Sequence, residues 1–357
     1  MRVIQIIDSL EIGGAERMAV NYANALSGKV EFSGLVATRS EGLLLEQLDE
    51  NVSYLFLNKK KSIDIKAIFR LRDFVKSNNI KIIHAHSSSF FTAVLTKLTY
   101  PKVKIVWHDH FGLRMNQSIK DNKVLILLSF FFSSVFVVNR QLESWSKKNM
   151  HCKNVAFIPN FILTSNLSEQ KTKLKGIDGK RIVFLANLKT PKNHLFIIKT
   201  FYSLRLFEQD WSLHLIGKDY FDEYSQTIKD FVQQNDLEKN VHLYGTKSDV
   251  SFILSQASIG VLASTYEGFP VTLIEYGRAG LSVLSTNVGF CSEIIKNEES
   301  GLLFDPLNEK DLIAKFQKIT NSESLREDLS SNLKKEIKRY YEEEVIKEVL
   351  LEYNKIW

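Results

Sequence analysis

Two carboxylates, Glu267 and Glu275, bracket a turn and a helix start in the stretch Val261 to Glu275, VLASTYEGFPVTLIE. The apolar run Ile259 to Ala263 predicts a central strand, and Glu267-Gly268-Phe269-Pro270 predicts the turn. Pro270 is expected at the first helical position, where a missing N–H costs nothing. A helix N-terminus gathers unpaired N–H groups and about half a positive charge, so the amides from Val271 through Thr272 to Leu273 form a cradle for a phosphate. Acids beside such a cradle make sense as acceptors for hydroxyl groups, and a sugar nucleotide offers hydroxyls on both sides of its diphosphate. One Glu would hold the ribose and the other the sugar. A rival chemistry is a glycosidase acid–base pair, whose carboxyls stand roughly 5–9.5 Å apart. Eight residues of helix rise about 12 Å, which disfavours that pair, although a turn shortens the span. The bland alternative is a turn acid and a solvated helix acid.

A diphosphate carries about two negative charges, more than a helix terminus balances, so a cation or a metal must help. No DxD sequence is present to hold a metal. Lysines are available in Ala186 to His194, ANLKTPKNH, where Lys189 and Lys192 follow a predicted strand. Two histidine groups, His84-Ala85-His86 and His108-Asp109-His110, also fall at predicted strand ends. Adjacent side chains on a strand alternate in direction and no third well-spaced ligand group accompanies them, so no metal site is expected. The loop Gly13-Gly14 lacks the GxGxxG spacing of dinucleotide sites, and no Walker A sequence occurs, which removes the main support for a dehydrogenase or a P-loop NTPase.

The elements that must position these groups alternate along the chain. Strands are expected near Val3–Ile7, Phe32–Ala37, Val52–Leu57, Ile80–His84, Lys104–His108 and Val135–Val138, with helices near Ala15–Leu26, Ile65–Ser77 and Phe91–Leu98. Repeated βα units imply a parallel, doubly wound sheet, and such sheets collect ligands at the carboxyl ends of their strands. The series closes near Ile158-Pro159-Asn160, and Leu163 to Gly179, polar and lysine-rich, is expected to be a linker. A second series follows at Arg181–Leu185, Ser212–Ile216, Val241–Tyr244, Ile259–Ala263, Ser282–Leu284 and Leu302–Phe304. The expected domains are 1–164 and 165–341. A final helix over 342–357 carries Val345, Val349, Leu350, Tyr353 and Trp357 on one face.

The sequence EGFPVTLIEYGRAG, followed by Thr286-Asn287-Val288-Gly289 and Glu293, resembles the signature of retaining glycosyltransferases of family 4 in which two glutamates enclose seven residues. The likeness extends over nearly the whole chain and points to the bacterial surface-polysaccharide type. It implies an α/β, GT-B fold of two facing Rossmann-like domains with an interdomain cleft, the final helix returning to the first domain. It implies metal-independent, front-face transfer of a sugar from a nucleotide diphosphate to a hydroxyl acceptor, with no cofactor. By the same resemblance Gly13 and Gly14 approach the donor phosphate, and His108, with His110 as competitor, orients the donor sugar. Glu267 holds sugar hydroxyls beside the Gly268-Phe269 backbone, Thr272 and Leu273 amides hold the phosphate, Glu275 the ribose and Lys192 the diphosphate. The family's usual arginine falls at Asn187, and Lys189 is the nearby cation that compensates. Base contacts are expected near Tyr244 to Lys247. The alternatives are a GT-B-fold sugar-nucleotide 2-epimerase and a catalytically silent sugar-nucleotide-binding module.

Composition fits this picture. The chain has 357 residues, 44% of them hydrophobic, enough to bury two cores. Its two cysteines, Cys152 and Cys291, make no disulfide framework and no zinc spacing, so a reducing, cytoplasmic setting is expected. The opening MRVIQIIDSL is broken by Asp8 and reads as a strand rather than a signal peptide. Val124 to Val138 is too short to span a bilayer, and Ser133-Ser134 divides it into a helix and a strand. A net charge of +6 calls for an anionic partner. The basic residues are dispersed and no nucleic-acid motif is present. A peripheral membrane surface, the inner face of the cell membrane, is the better match. Lys59-Lys60-Lys61, Lys147-Lys148 and Phe130-Phe131-Phe132 are the segments expected to meet headgroups of a membrane holding a lipid-linked glycan acceptor. The alternative is that the lysines solvate a surface and the phenylalanines fill a core.

Overall fold

Apolar runs without polar alternation, such as Ile259–Leu262 (IGVL), become strands buried throughout, as parallel sheets covered by helices require. In the computed structural model, which describes residues 1–163 and 170–357, such strands make two sheets in two units. One unit comprises Met1–Leu163 with Tyr340–Trp357, and the other Thr164–Arg339.

The first unit contains β1 (Arg2–Ser9), β2 (Phe32–Ser40), β3 (Ser53–Phe56), β4 (Ile82–His86), β5 (Lys104–Asp109), β6 (Ser134–Val137) and β7 (Val155–Phe157), in the order β3-β2-β1-β4-β5-β6-β7. All neighbours are parallel. Their register sets His86 beside His108 across β4 and β5. The helix Gly14–Leu26 and the late helix Glu342–Ile356 cover one face, where Met18, Tyr22, Val345, Val349 and Tyr353 pack on Val3, Ile82, Val106 and Phe136. The late helix is thus part of the first unit's core.

The second unit contains β8 (Arg181–Leu185), β9 (Ser212–Ile216), β10 (Val241–Leu243), β11 (Ile259–Leu262), β12 (Ser282–Thr286) and β13 (Leu302–Phe304), in the order β10-β9-β8-β11-β12-β13. All of these pairs are parallel too. Both sheets are Rossmann-like, the architecture of the GT-B fold. Each has one place where the chain reverses its direction of winding, between β1 and β4 in the first and between β8 and β11 in the second. Loops leaving the carboxyl ends of strands diverge there and open a crevice.

Three expectations change. The short edge strand β7 was not foreseen, because three half-buried residues carry no periodic signal. Part of the expected linker, 164–169, lies outside the described residues. The part that follows is fastened to the second unit: Asp249 accepts from the Lys171 and Thr172 amides at 2.9 and 2.6 Å, and Leu174 is buried. Its lysines disguised a backbone that packs. Pro270 stands at the N-cap, one residue before the helix Val271–Ala279.

Candidate active site

The second crevice is built by the loops that follow β8, β9, β11 and β12. After β8, Lys189 precedes a single 3₁₀ turn, Thr190–Lys192, and Asn193 takes a left-handed conformation that redirects the chain into the helix His194–Ser203. After β11 the chain runs through Ser264 to the turn at Glu267. The two loops are tied by the Thr265 amide donating to the Pro191 carbonyl at 2.9 Å. This brings Lys192 Nζ to 2.5 Å from Glu267 Oε1, and the same oxygen accepts from Ser264 Oγ at 2.6 Å. The pair is mostly shielded, with side-chain exposures of 24% for Lys192 and 11% for Glu267. The loop after β12 supports it from the other side. A Cβ on Gly289 would lie 1.7 Å from the Glu267 carbonyl oxygen, and the glycine has φ +54°, so only glycine lets these backbones meet. Phe290 stacks on Phe269 with centroids 5.1 Å apart, holding the Gly268-Phe269 segment.

Behind the turn, the buried Tyr276 fixes the helix that carries Glu275. Its hydroxyl accepts from the Leu185 amide at 2.8 Å and donates to the Val261 carbonyl at 3.0 Å, joining the ends of β8 and β11. Cys291 lies close enough for Glu267 and Lys192 to act on its thiol, which burial pushes up to about 12. It is a packing residue, as a neutral, fully buried thiol should be.

The helix start differs from the expected cradle. The Leu273 amide donates to the Pro270 carbonyl at 3.0 Å and the Val271 amide to the Phe269 carbonyl at 3.1 Å. Pro270, standing outside the helix, turns its own carbonyl onto the first turn, so Leu273 is not the open donor that the sequence implied. Thr272 lies between them in the first turn of the helix. Asn187 is also committed: its Oδ1 accepts from the Lys218 amide at 2.9 Å and ties the loops after β8 and β9. Lys189 is exposed. Tyr244, where base contacts were expected, uses its hydroxyl on His214 Nδ1 at 3.1 Å and the Lys175 amide at 3.2 Å.

In the first unit, Gly13 caps the helix Gly14–Leu26 in extended backbone, and the Glu16 carboxylate folds into the space a Gly13 side chain would fill. Burial raises the Glu16 pKa. An acid of the chain itself therefore sits at this helix start, a residue that the glycine spacing did not single out. At the crevice between β1 and β4, Asp8 accepts from Ser88 Oγ at 2.6 Å and from Thr38 Oγ1. Lys59 is buried beside them, its Nζ donating to Thr92 Oγ1 at 2.7 Å and standing 4.0 Å from Asp8.

The two histidine groups form one cluster. Side chains two apart on a strand share a face, and β4 adjoins β5, so His84, His86 and His108 bring one nitrogen each within 4.8 Å of the others. This corrects the reading of the two groups as separate. Asp109 points elsewhere and grips Arg114, with Nη2 donating to Oδ1 at 2.9 Å. Hydrogen bonds join the rings of the cluster, His84 Nε2 to His108 Nδ1 at 3.2 Å, His84 Nδ1 to the Tyr353 hydroxyl at 2.6 Å, His86 Nδ1 to His110 Nε2 at 2.9 Å and His86 Nε2 to Gln5 Oε1 at 2.9 Å, while His108 Nε2 has no partner among the described residues. Burial holds His84, His86 and His108 well below the ordinary imidazole range and His110 at about 3, with each ring further opposed by its neighbours' charge except His110, which the Asn160 side chain raises. They are neutral, hydrogen-bonding imidazoles.

Comparison with known proteins agrees with this fold. Residues 12–166 match the model for Glycosyltransferase Family 4, and residues 167–336 match Glycosyl transferases group 1. An uncharacterized glycosyltransferase of Haemophilus influenzae is 24% identical over 94% of this chain and 95% of its own. The N,N'-diacetylbacillosaminyl-diphospho-undecaprenol alpha-1,3-N-acetylgalactosaminyltransferase of Campylobacter jejuni is 27% identical over 82% of this chain and 81% of its own. Among solved structures, Anabaena HepE in complex with UDP and glucose superposes with a TM-score of 0.82 at 14% identity, over 99% of this chain and 100% of that one. With two Rossmann-like sheets and two glycosyltransferase models that between them span 12–336, the chain is a member of the GT-B-fold glycosyltransferase superfamily.

Proposed function

We propose that the protein transfers a sugar, with retention of configuration and without a metal ion, from a nucleotide-diphosphate sugar to a hydroxyl of a lipid-linked saccharide in polysaccharide or lipopolysaccharide synthesis. The observation that carries this reading is the Lys192–Glu267 ion pair at the crevice between β8 and β11, beside a helix start. A diphosphate placed there meets a cation and the Thr272 amide, and its leaving charge is balanced by Lys192, with Lys189 as a second cation. Glu267 then accepts from sugar hydroxyls along the Gly268-Phe269 backbone, and Glu275 from the ribose. His108 orients the sugar. In the front-face step the bond from the anomeric carbon to the phosphate oxygen breaks as the acceptor oxygen bonds on the same face, and the acceptor proton passes to the departing phosphate oxygen. The name of the Campylobacter relative supports an acceptor on a diphospho-undecaprenol carrier.

Such an acceptor requires a membrane, and the surface of the first unit supports peripheral contact in an altered form. Lys59 and Phe132 are buried and Lys147 pairs with Glu143 at 2.6 Å, so these parts of the expected basic and aromatic patch do not meet headgroups. Val124, Leu127 and Phe130, three apart on the short helix Lys123–Leu128 and the turn after it, are 56%, 67% and 76% exposed. Ile119 is 62% exposed, and Lys120 and Lys123 are exposed with it. Apolar side chains rimmed by lysines suit an anionic leaflet, each lysine contributing on the order of 1 kcal/mol. No described helix is long and apolar enough to cross a membrane.

Incubation with labelled nucleotide sugars and lipid-extract acceptors, with and without EDTA, tests the proposal. Label in the lipid fraction, in an α-linkage from an α-linked donor and undiminished by EDTA, is expected. An epimerised free donor points instead to a 2-epimerase, binding without turnover to a silent module, and loss in EDTA restored by magnesium to a metal-dependent enzyme. Sedimentation with anionic liposomes at low salt should be lost in the triple variant Val124→Ser, Leu127→Ser, Phe130→Ser. Unchanged sedimentation would remove the membrane surface from this account.

A further inference from the structure

The polar chain that ends at His108 begins on the late helix. Tyr353, Gln5, His84, His86 and His108 are all fully buried. The partner of the Tyr353 hydroxyl among the described residues is His84 Nδ1, 2.6 Å away, and a buried phenol proton left without an acceptor is costly, so the hydroxyl donates to that nitrogen. His84 is neutral and has one proton, so with Nδ1 accepting, the proton is on Nε2 and donates to His108 Nδ1 at 3.2 Å. His108 is neutral as well and therefore carries its hydrogen on Nε2. That nitrogen is buried and has no hydrogen-bond partner among the described residues. A buried, unpaired donor is costly, and such a group in a folded protein calls for an explanation.

We propose that Tyr353 and His84 are positioning residues that fix the tautomer of His108, holding its Nε2–H as a neutral hydrogen-bond donor to an oxygen of the transferred sugar. The proposal deepens the function proposed above and rests on it only for the identity of the acceptor oxygen. The order of donation follows from the first unit alone. A neutral donor suits a sugar oxygen, since it carries no charge that would compete with Lys192 for the diphosphate. It also explains why the late helix ends its buried face on a tyrosine: phenylalanine would fill the same space, but leave His84 Nδ1 without a donor and the direction of the chain undefined.

The tautomer is read directly from imidazole ¹⁵N–¹H correlation spectra of the full-length protein labelled at histidine. In the wild type at neutral pH, His108 is expected as the Nε2–H form. In Tyr353→Phe and His84→Phe that form should give way to a mixture or to Nδ1–H, and kcat should fall about tenfold, the effect of one hydrogen bond, while KM for the nucleotide sugar changes less than about twofold. His84→Gln, whose amide N–H stands where Nε2–H stood, should restore most of the turnover and the Nε2–H signal. An Nδ1–H or doubly protonated His108 in the wild type overturns the relay, as does a stoichiometric metal held by the cluster, or equal activity in His84→Phe and His84→Gln. If the wild type shows the Nε2–H form but no transfer with any donor, the relay stands and its assignment to a sugar is overturned together with the proposed reaction. Matched thermal melts of the four proteins separate these results from loss of folding.

Discussion

At the winding reversal of the first unit, Asp8 is spanned by hydroxyls from Ser88 and Thr38, with Lys59 4.0 Å and Arg39 3.8 Å away, and in the same sheet four imidazoles hold one another in hydrogen bonds. At the reversal of the second, Lys192 and Glu267 form an ion pair steadied by Ser264. The topology is the same and each reversal sets an acid beside a cation, but the second closes its pair to 2.5 Å and only the first adds a cluster of neutral rings. An ion pair at a crevice can be exchanged for another anion, because the diphosphate offers the lysine what the carboxylate did. A closed set of neutral rings cannot recruit charge, but it presents a donor in a fixed direction. Under the proposed function, this difference puts charge balance in the second unit and orientation in the first.

The largest effects that would break this division are expected in the second unit. Lys192→Met and Glu267→Ala should each lower turnover, and Glu275→Ala should weaken the binding of free nucleotide, by roughly ten- to a hundred-and-fifty-fold, the range for a lost charged hydrogen bond of about 1.5–3 kcal/mol. Isothermal titration with the free nucleotide separates them: equal affinity in wild type and Glu275→Ala would reject the ribose assignment, and a Lys192→Met enzyme with full turnover would move the charge balance elsewhere. A smaller effect is expected at Gly289→Ala, whose methyl group meets the Glu267 carbonyl. It should cost about 1–3 kcal/mol of stability and lower turnover with nucleotide affinity nearly kept, since it displaces the Glu267 turn and leaves Glu275 in place. A melt and a turnover assay indistinguishable from wild type would show that the turn tolerates the shift.

A further effect concerns pH. The folded-state values of the buried histidines lie below the ordinary 6.5, about 3 for His110 in the first unit and about 4 and 3 for His194 and His214 in the second. The unfolded chain takes up these protons from about pH 6.5 downward and the folded chain does not. Stability is therefore full above that pH and is lost as the pH falls toward the folded values, by at most about 1.4 kcal/mol per pH unit for each such ring. Because His84, His86 and His108 oppose protonation of one another, the first unit should loosen before the second. Hydrogen exchange at pH 7 and pH 5 measures this, and equal loosening of both units would deny the cluster a special part.

Much of this was legible in the sequence because it depends on short-range pattern. Short, mostly apolar runs gave β8, β9, β11 and β13 nearly to the residue, and the EGFPVTLIE turn located both glutamates and the helix they frame. What escaped depends on which strands become neighbours. His84 and His108 meet because β4 adjoins β5 in register, and Lys59 is buried where Thr92 arrives from the helix Phe90–Thr99 and Asp8 from β1. Nothing within a few residues of either announces it. The Glu16 carboxylate at the first helix start and the Leu273 amide closed on Pro270 are missed for another reason: each is a choice among local partners that the same letters permit in more than one way.

The interleaving of the chain has a consequence for biosynthesis. Residues 340–357 complete the core of the first unit, yet they follow all of the second in the sequence. A ribosome therefore makes the second unit, contiguous along the chain, before the helix that finishes the first. Domains tend to fold as they emerge. During elongation the second unit has its whole complement of strands, while the first keeps an open apolar face, with Tyr22 and His84 waiting for Tyr353 and its neighbours Val345 and Val349. The unit translated first is the one completed last, and the histidine chain that ends at His108 comes into being only with that final step.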